Sequence, residues 1–267
     1  MSVQTLYTAA TGMEALETKL DVIANNMANV NTTGFKKDRA NFEDLFYRQQ
    51  RLPGALDADG TRTSTGIEVG LGVRVSSMQA DFDQGAFQTT ENQLDFAIEG
   101  NGFFQLTDPN GGQLYTRAGN FGINADGDLV VGSAHKGWVV EPQINIPQEA
   151  IEVTVSADGQ VSYSTSGQTA LVPAGQLQLA TFINPDGLLK LGDNLFQETE
   201  ASGPVQINNP GVQGVGQLRQ GFLEASNVEP VTELIDLITT QRAFELNSQV
   251  VQAGDQIMQT VANLRRG

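Results

Sequence analysis

The chain has 267 residues, room for one large domain or two to three small ones at roughly 150 residues per domain. Fifteen Lys and Arg against 31 Asp and Glu leave a net charge of −16, which excludes a nucleic-acid groove and argues against an anionic membrane surface as partner. With no cysteine, a single histidine (His135) and no apolar run near ~18 residues, thiolate chemistry, disulfides, zinc and membrane insertion are excluded, and no cofactor is expected.

The N-terminus lacks the cationic-then-apolar pattern of an ordinary cleaved signal. Instead, Leu6, Ala9, Met13, Leu16, Leu20, Ile23, Met27 and Val30 recur at spacings of three and four, an unbroken heptad seam. The spacing predicts an amphipathic helix ending by Gly34, with Glu14, Glu17, Lys19 and Asp21 on its wet side. Asparagines at 25, 26, 29 and 31 are poor helix formers, and their amides suit either local capping or register between packed helices.

Residues 36–80 hold seven basic and six acidic residues and read as a connecting extended or β segment, with 51–66 as a loop rich in Pro, Gly, Thr and Asp. Asp57, Asp59, Thr61, Thr65 and Glu68 match calcium-loop positions, but Arg62 stands where that loop needs glycine. Residues 81–224 hold 17 acidic and four basic residues, so the charge sits on a central body. There the turn signals Asp108-Pro-Asn-Gly111, Asn124-Ala-Asp-Gly127, Ser156-Ala-Asp-Gly159 and Asn184-Pro-Asp-Gly187 separate short alternating runs and predict antiparallel hairpins.

A second helix is predicted after Asn227 and Pro230, with Glu229, Glu233 and Asp236 near its N-terminus and Arg265 and Arg266 at its end. It carries two apolar rows, Leu237, Phe244, Val251, Met258 and Val250, Ile257, Leu264, more than one partner covers. Either both helices pack on the body or the two termini pair as a coiled coil, and the 3-4 spacing favours the pair. The fold class is therefore α+β: terminal helices, residues 1–35 and 226–267, paired as a coiled coil, and a central antiparallel β-rich domain over 81–225.

Catalytic chemistry finds no footing. His135 has no second metal ligand and reads as a loop residue, and Asp81 with Asp83 or Asp126 with Asp128 read as turn carboxylates. Gly70-Leu-Gly72 and Gly100-Asn-Gly102 lack the third glycine of a dinucleotide fingerprint. A secreted β-domain peptidoglycan hydrolase is the alternative of another class, requiring two carboxylates converging in a cleft.

The run from Ala24 to Lys36, Gly102-Phe-Phe-Gln105, Tyr115-Thr-Arg117, Glu224-Ala-Ser-Asn-Val228 and Thr240 to Ser248 together resemble the flagellar rod and hook family of axial proteins. Asn41-Phe-Glu-Asp-Leu-Phe46, Arg51-Leu-Pro-Gly54 and the run from Thr65 to Arg74 are most similar to its distal-rod members, with proximal rod or hook members as the alternative. The resemblance implies a non-enzymatic subunit in the basal body of the bacterial flagellum. Such a subunit is exported by the flagellar export apparatus without a cleaved signal, and it polymerises with itself into a drive shaft crossing the periplasm. Its paired terminal helices would form an inner tube and its β domain would face outward. Proximal rod subunits, hook subunits and the surrounding P and L rings are the implied partners.

Leu6, Met13, Leu20, Met27, Leu237, Phe244, Val250, Val251, Ile257, Met258 and Leu264 are then the expected assembly residues. Asn25, Asn26, Asn29, Gln241, Arg242 and Asn247 are the expected polar register contacts. Arg51, Pro53, Gly54 and Gly66 belong to a segment that resembles the family's rod-specific, stiffening stretch.

Overall fold

The computed structural model describes residues 3–54, 64–108, 111–133, 136–165 and 170–264. The chain folds as two compact units, one formed by residues 1–28, 38–79 and 229–267, the other by 29–37 and 80–228. The first is helical with a strand ribbon and the second is β-rich, so the fold is mixed α+β.

In the helical unit, α1 spans Val3–Ala28 and α2 spans Pro230–Leu264. Pro230 opens α2 because proline's fixed φ suits the first helical turn, where its missing N–H costs nothing. Helix α1 ends earlier than its apolar spacing predicts, at Ala28 rather than near Gly34, and Val30 lies beyond it. The asparagines are the reason. The Thr32 N–H donates to the Asn29 carbonyl at 3.1 Å, and its hydroxyl donates to Asn29 Oδ1 at 3.1 Å, replacing the helical bonding pattern with turns.

Residues 38–80 leave and return as a two-stranded ribbon: β1 (Asp38–Asp44) pairs with β4 (Val73–Ala80), and β2 (Tyr47–Arg51) pairs antiparallel with β3 (Ile67–Gly70). Arg39 faces Gln79, Asn41 faces Ser77 and Glu43 faces Arg74 across the first pair. Leu45 N–H to the Gly72 carbonyl (2.8 Å) and Leu71 N–H to the Phe46 carbonyl (3.1 Å) carry the pairing across the break. A side chain at Gly72 would overlap the Thr11 hydroxyl, so the bare glycine lets the ribbon lie on α1.

The β unit contains β5 (Phe87–Thr89), β6 (Phe96–Glu99), β7 (Phe103–Thr107), β8 (Gln113–Thr116), β9 (Phe121–Ile123), β10 (Leu129–Ser133), β11 (Lys136–Glu141), β12 (Ala150–Val155), β13 (Gln160–Thr165), β14 (Val172–Gln176), β15 (Leu179–Thr181), β16 (Leu189–Gly192), β17 (Leu195–Gln197), β18 (Gln206–Asn208), β19 (Gln217–Gln220) and β20 (Phe222–Glu224). Its main sheet runs β16-β17-β8-β7-β11-β10-β9, with β15 bridging β7 and β18; β12-β13-β14 form a second sheet, and β6-β19 and β5-β20 are paired ribbons.

Three of the four turn signals close hairpins, β7-β8, β9-β10 and β12-β13. The fourth, at Asn184, forms a short 3-10 turn over Pro185–Gly187 leading from β15 to β16, which do not pair. Alternation on β7 sorts two cores: Phe104 and Leu106 enter the larger one with Ile98, Leu129 and Trp138, while Phe103 enters a smaller one with Tyr115 and Phe196. Fully buried Phe104 sits edge-on to Phe121 at 4.9 Å, so Phe104→Ala is expected to cost about 3–5 kcal/mol, read as a lowered denaturation midpoint.

Candidate functional site

The helical unit places the assembly residues expected from the heptads on two different faces. Helices α1 and α2 run antiparallel: Asn26 lies beside Glu233, Gly12 beside Asn247 and Leu6 beside Gly254. A Cβ at Gly254 would overlap Leu6, and one at Gly12 would stand 3.3 Å from the Asn247 amide, so small residues set the close approach.

The sheltered side of α2 reads Glu233, Leu237, Thr240, Phe244, Asn247, Val251 and Gly254, a spacing of four and three throughout. At about 100° per residue, the exposed Val231, Leu234, Ile235, Ile238, Leu246 and Ile257 fall away from that side, and Val250 lies at its flank. Leu6, Met13, Leu20, Met27, Leu237, Phe244 and Val251 are half-buried, whereas Val250, Ile257, Met258 and Leu264 are exposed, Leu264 at 78%. On α1 the buried set also includes Ala15, Val22 and Asn26, off the apolar seam. Behind its sheltered side, α2 therefore carries a row of exposed apolar residues.

One asparagine in each unit ties separate stretches of chain together. Asn26, 2% exposed, donates from Nδ2 to the Asp38 carbonyl and accepts the Asp38 N–H at Oδ1, both at 2.9 Å; its Nδ2 also lies 3.5 Å from both Glu233 oxygens. In the β unit, Asn227 accepts the Lys37 N–H at 2.8 Å and donates to the carbonyls of Asp81 (2.8 Å) and Asp83 (3.2 Å). Lys37 adds a 3.2 Å ion pair to Asp81.

Removing the Asn26 amide leaves the Asp38 N–H without its partner, so Asn26→Ala is expected to destabilise the helical unit by about 1–3 kcal/mol, measurable by loss of helical circular dichroism on heating. Of the other register residues, Asn25, Gln241 and Arg242 are exposed, Asn29 and Asn247 half-buried, and Arg242 pairs with Glu245 at 3.6 Å.

The most buried polar assembly was missed by the sequence reading. Glu224 accepts from Lys36 Nζ at Oε1 (2.6 Å), from the Gly85 N–H at Oε1 (2.9 Å) and from Arg117 Nε at Oε2 (2.7 Å), with all three side chains at most 5% exposed. Lys36 also donates to the Asp83 carbonyl at 2.7 Å, and Arg117 donates to the carbonyls of Ile98, Gly100 and Gly102. Burial pulls the Lys36 ammonium below its usual pKa despite the contact with Glu224. Burial works to raise the Glu224 carboxyl, but the Arg117 and Lys36 charges outweigh it and hold the group below the ordinary carboxylate range.

Lys36, Gly102, Arg117 and Glu224 each came from a different motif. The structure brings them to one cluster that fastens residues 34–37, 81–85 and 224–227 together, with the Gly34 N–H on the Glu224 carbonyl at 2.8 Å. Spacing gave no hint of it. The available signal was the presence of one charged residue in each of three separated motifs of an otherwise cation-poor region.

Arg51 pairs with Ile67 at the end of the β2-β3 ribbon, and a Cβ on Gly66 would stand 2.6 Å from the Arg51 carbonyl and 2.9 Å from the Pro53 ring; Gly54 takes φ +78°. The stretch 55–63, including Asp57, Asp59 and Arg62, lies outside the described residues, as do His135, Arg265 and Arg266. Asp81 serves the Asn227 and Lys37 ties, and Asp128 sits in a turn where Asn145, Gln143 and Asn124 hydrogen bonds hold it below the usual carboxylate range.

Three family models match: the flagella basal body rod protein over residues 6–36, the flagellar hook protein FlgE/F/G D1 domain over 97–163, and the flagellar basal body rod FlgEFG protein C-terminal region over 219–264. A "Flagellar basal-body rod protein FlgG" of Caulobacter vibrioides is 44% identical over 98% of this chain and 99% of its own. Two Bacillus subtilis proteins separate the branches. The "Flagellar basal-body rod protein FlgG" there is 40% identical over 98% of this chain and 99% of its own, while "Flagellar hook-basal body complex protein FlhP" is 29% identical over the same shares.

Proposed function

Since the chain belongs to the FlgG family of flagellar basal-body rod proteins, we propose that its terminal helices pair as a coiled coil that builds the inner wall of a helical rod and transmits torque by packing. It is a structural subunit of the flagellar distal rod and not an enzyme, and self-polymerisation within the basal body comes with the family. The hydrolase alternative has no support.

The observation that carries the packing mechanism is the two-faced α2: a 4-3 seam toward α1 and an exposed apolar face behind it. The two faces let one helix pair internally and still have surface for a neighbour. A contact between unlike surfaces, repeated without closure, yields a filament.

The finer reading divides the chain as helices at 1–35 and 226–267, a connecting segment at 36–80 with its stiffening stretch at 51–66, and an outer β domain at 81–225. Contacts with proximal rod subunits, hook subunits and the P and L rings, export without a cleaved signal, passage through the periplasm and terminal helices that order on assembly complete the proposal. For stiffening, the support is the ribbon itself: Phe46, Tyr47, Leu52 and Ile67 are exposed, and a two-stranded ribbon is marginal unless something covers it.

The test is an epitope placed in the exposed turn at Asp186 and followed by gold labelling of purified basal bodies. Label along the rod below the hook is expected; label confined to the hook, or absent from basal bodies, overturns the reading.

A further inference from the structure

The antiparallel register leaves α2 longer than its partner. Leu6 lies beside Gly254, and beyond it every residue whose burial is described, 255–260 and 262–264, is exposed. This tip is about 15 Å long. After Asp255 it carries no charge through residue 264 and presents Ile257, Met258 and Leu264 to solvent alongside the amide oxygens of Gln256, Gln259 and Asn263.

Elsewhere in the helical unit, a cleft of about 340 Å³ opens between α1, α2 and β3, lined by Gln4, Thr5, Thr8, Ala9, Val69, Gly70, Asn247 and Val250. None of these residues is charged.

We infer that this cleft receives the α2 tip of a second copy of the chain. Three features support the match. The cleft offers apolar walls (Ala9, Val69, Val250) beside uncharged polar side chains (Thr5, Thr8, Asn247), and the tip offers apolar side chains beside uncharged amides. Two copies at −16 each repel, and neither the lining of the cleft nor residues 256–264 of the tip adds a charge to that repulsion. The two surfaces are also different from each other, so a tip-to-cleft contact passes from copy to copy without closing. This rests on the rod reading and assigns one of its subunit contacts.

The absence of cysteine makes the test clean. Two forms of the chain, Val69→Cys and Ile257→Cys, carry tags of different size and are produced together in cells lacking the native chain; basal bodies are purified and oxidised. A disulfide needs Cα atoms within about 7 Å. A mixed dimer carrying both tags is expected, and none from a control pair of Ile257→Cys with Ile151→Cys in the β unit. Rods that contain both forms yet give no mixed dimer, or that link Ile257→Cys to another rod component, overturn the inference. If Val69→Cys is not incorporated, Thr5→Cys takes its place with the same two outcomes. If the unsubstituted full-length chain is itself absent from the rods, the rod reading fails, a result distinguishable from the loss of this one contact.

Discussion

Deleting residues 229–267 is expected to abolish rod assembly completely while leaving the β unit folded. The deletion removes α2, and with it both the seam that shelters Leu6, Met13 and Leu20 and the exposed apolar face behind it. Helix α1 alone has 26 residues and no partner for its apolar stripe, and most helical stability in water comes from such packing. The ion cluster of Lys36, Arg117 and Glu224 and the Asn227 tie lie outside the deletion. Trp138, the only tryptophan, is buried in the larger β core, so its fluorescence reports that unit alone. Cells carrying the deletion should be non-motile, and the purified fragment should keep a cooperative Trp138 transition. Rods assembled from this fragment would contradict the helical mechanism.

Glu224→Gln is expected to destabilise the β unit by about 3–5 kcal/mol, because it leaves the Lys36 and Arg117 cations buried without their anion. For a unit of this size that is a fall of roughly 10 °C in the Trp138 melting midpoint. The pH dependence has a definite sign. The folded Glu224 carboxyl titrates below its ordinary range, so its contribution is fully present above the unfolded pKa of about 4.3 and is lost as pH falls toward the folded value. In Glu224→Gln that part of the acid dependence should vanish. An unchanged midpoint at neutral pH would show that the cluster is not holding the chain crossings. Replacing Lys36, Arg117 and Glu224 together with well-packed apolar residues is a weaker test, since a buried ion cluster exchanged whole is often neutral or stabilising.

The parts of the fold legible in the sequence were those with a short period. Two helices announced themselves by 3-4 apolar spacing, and three hairpins by Asp-Gly or Asn-Gly turns whose glycine takes a positive φ, as Gly127 and Gly159 do at +87°. The end of α1 was misplaced because apolar spacing ran on through Val30, while the backbone there had already been taken over by Asn29 and Thr32. The register of α2 could be read, but not the division of its two apolar rows between faces, which depends on where α1 lies.

Residues 36–80 read as an extended or β segment, but how its strands pair could not be read, since they are largely exposed and carry no clean alternation. The Lys36–Glu224–Arg117 cluster was invisible for a different reason. Its members are separated by 81 and 107 positions or more, and no local rule places a charge in a core. The same distance hid the two asparagine ties: Asn26 was expected to work between helices, and the bonds it makes are chiefly to the Asp38 backbone.

The proposed role of the terminal helices in building the distal rod is open to test in cells. The most direct measurement is electron microscopy of basal bodies from cells lacking the chain, complemented either with the full-length protein or with residues 36–224 alone. Rods that stop short without the chain, complete rods with the full-length protein, and short rods with 36–224 are expected. Complete rods in cells lacking the chain, or restored by 36–224, would contradict that role.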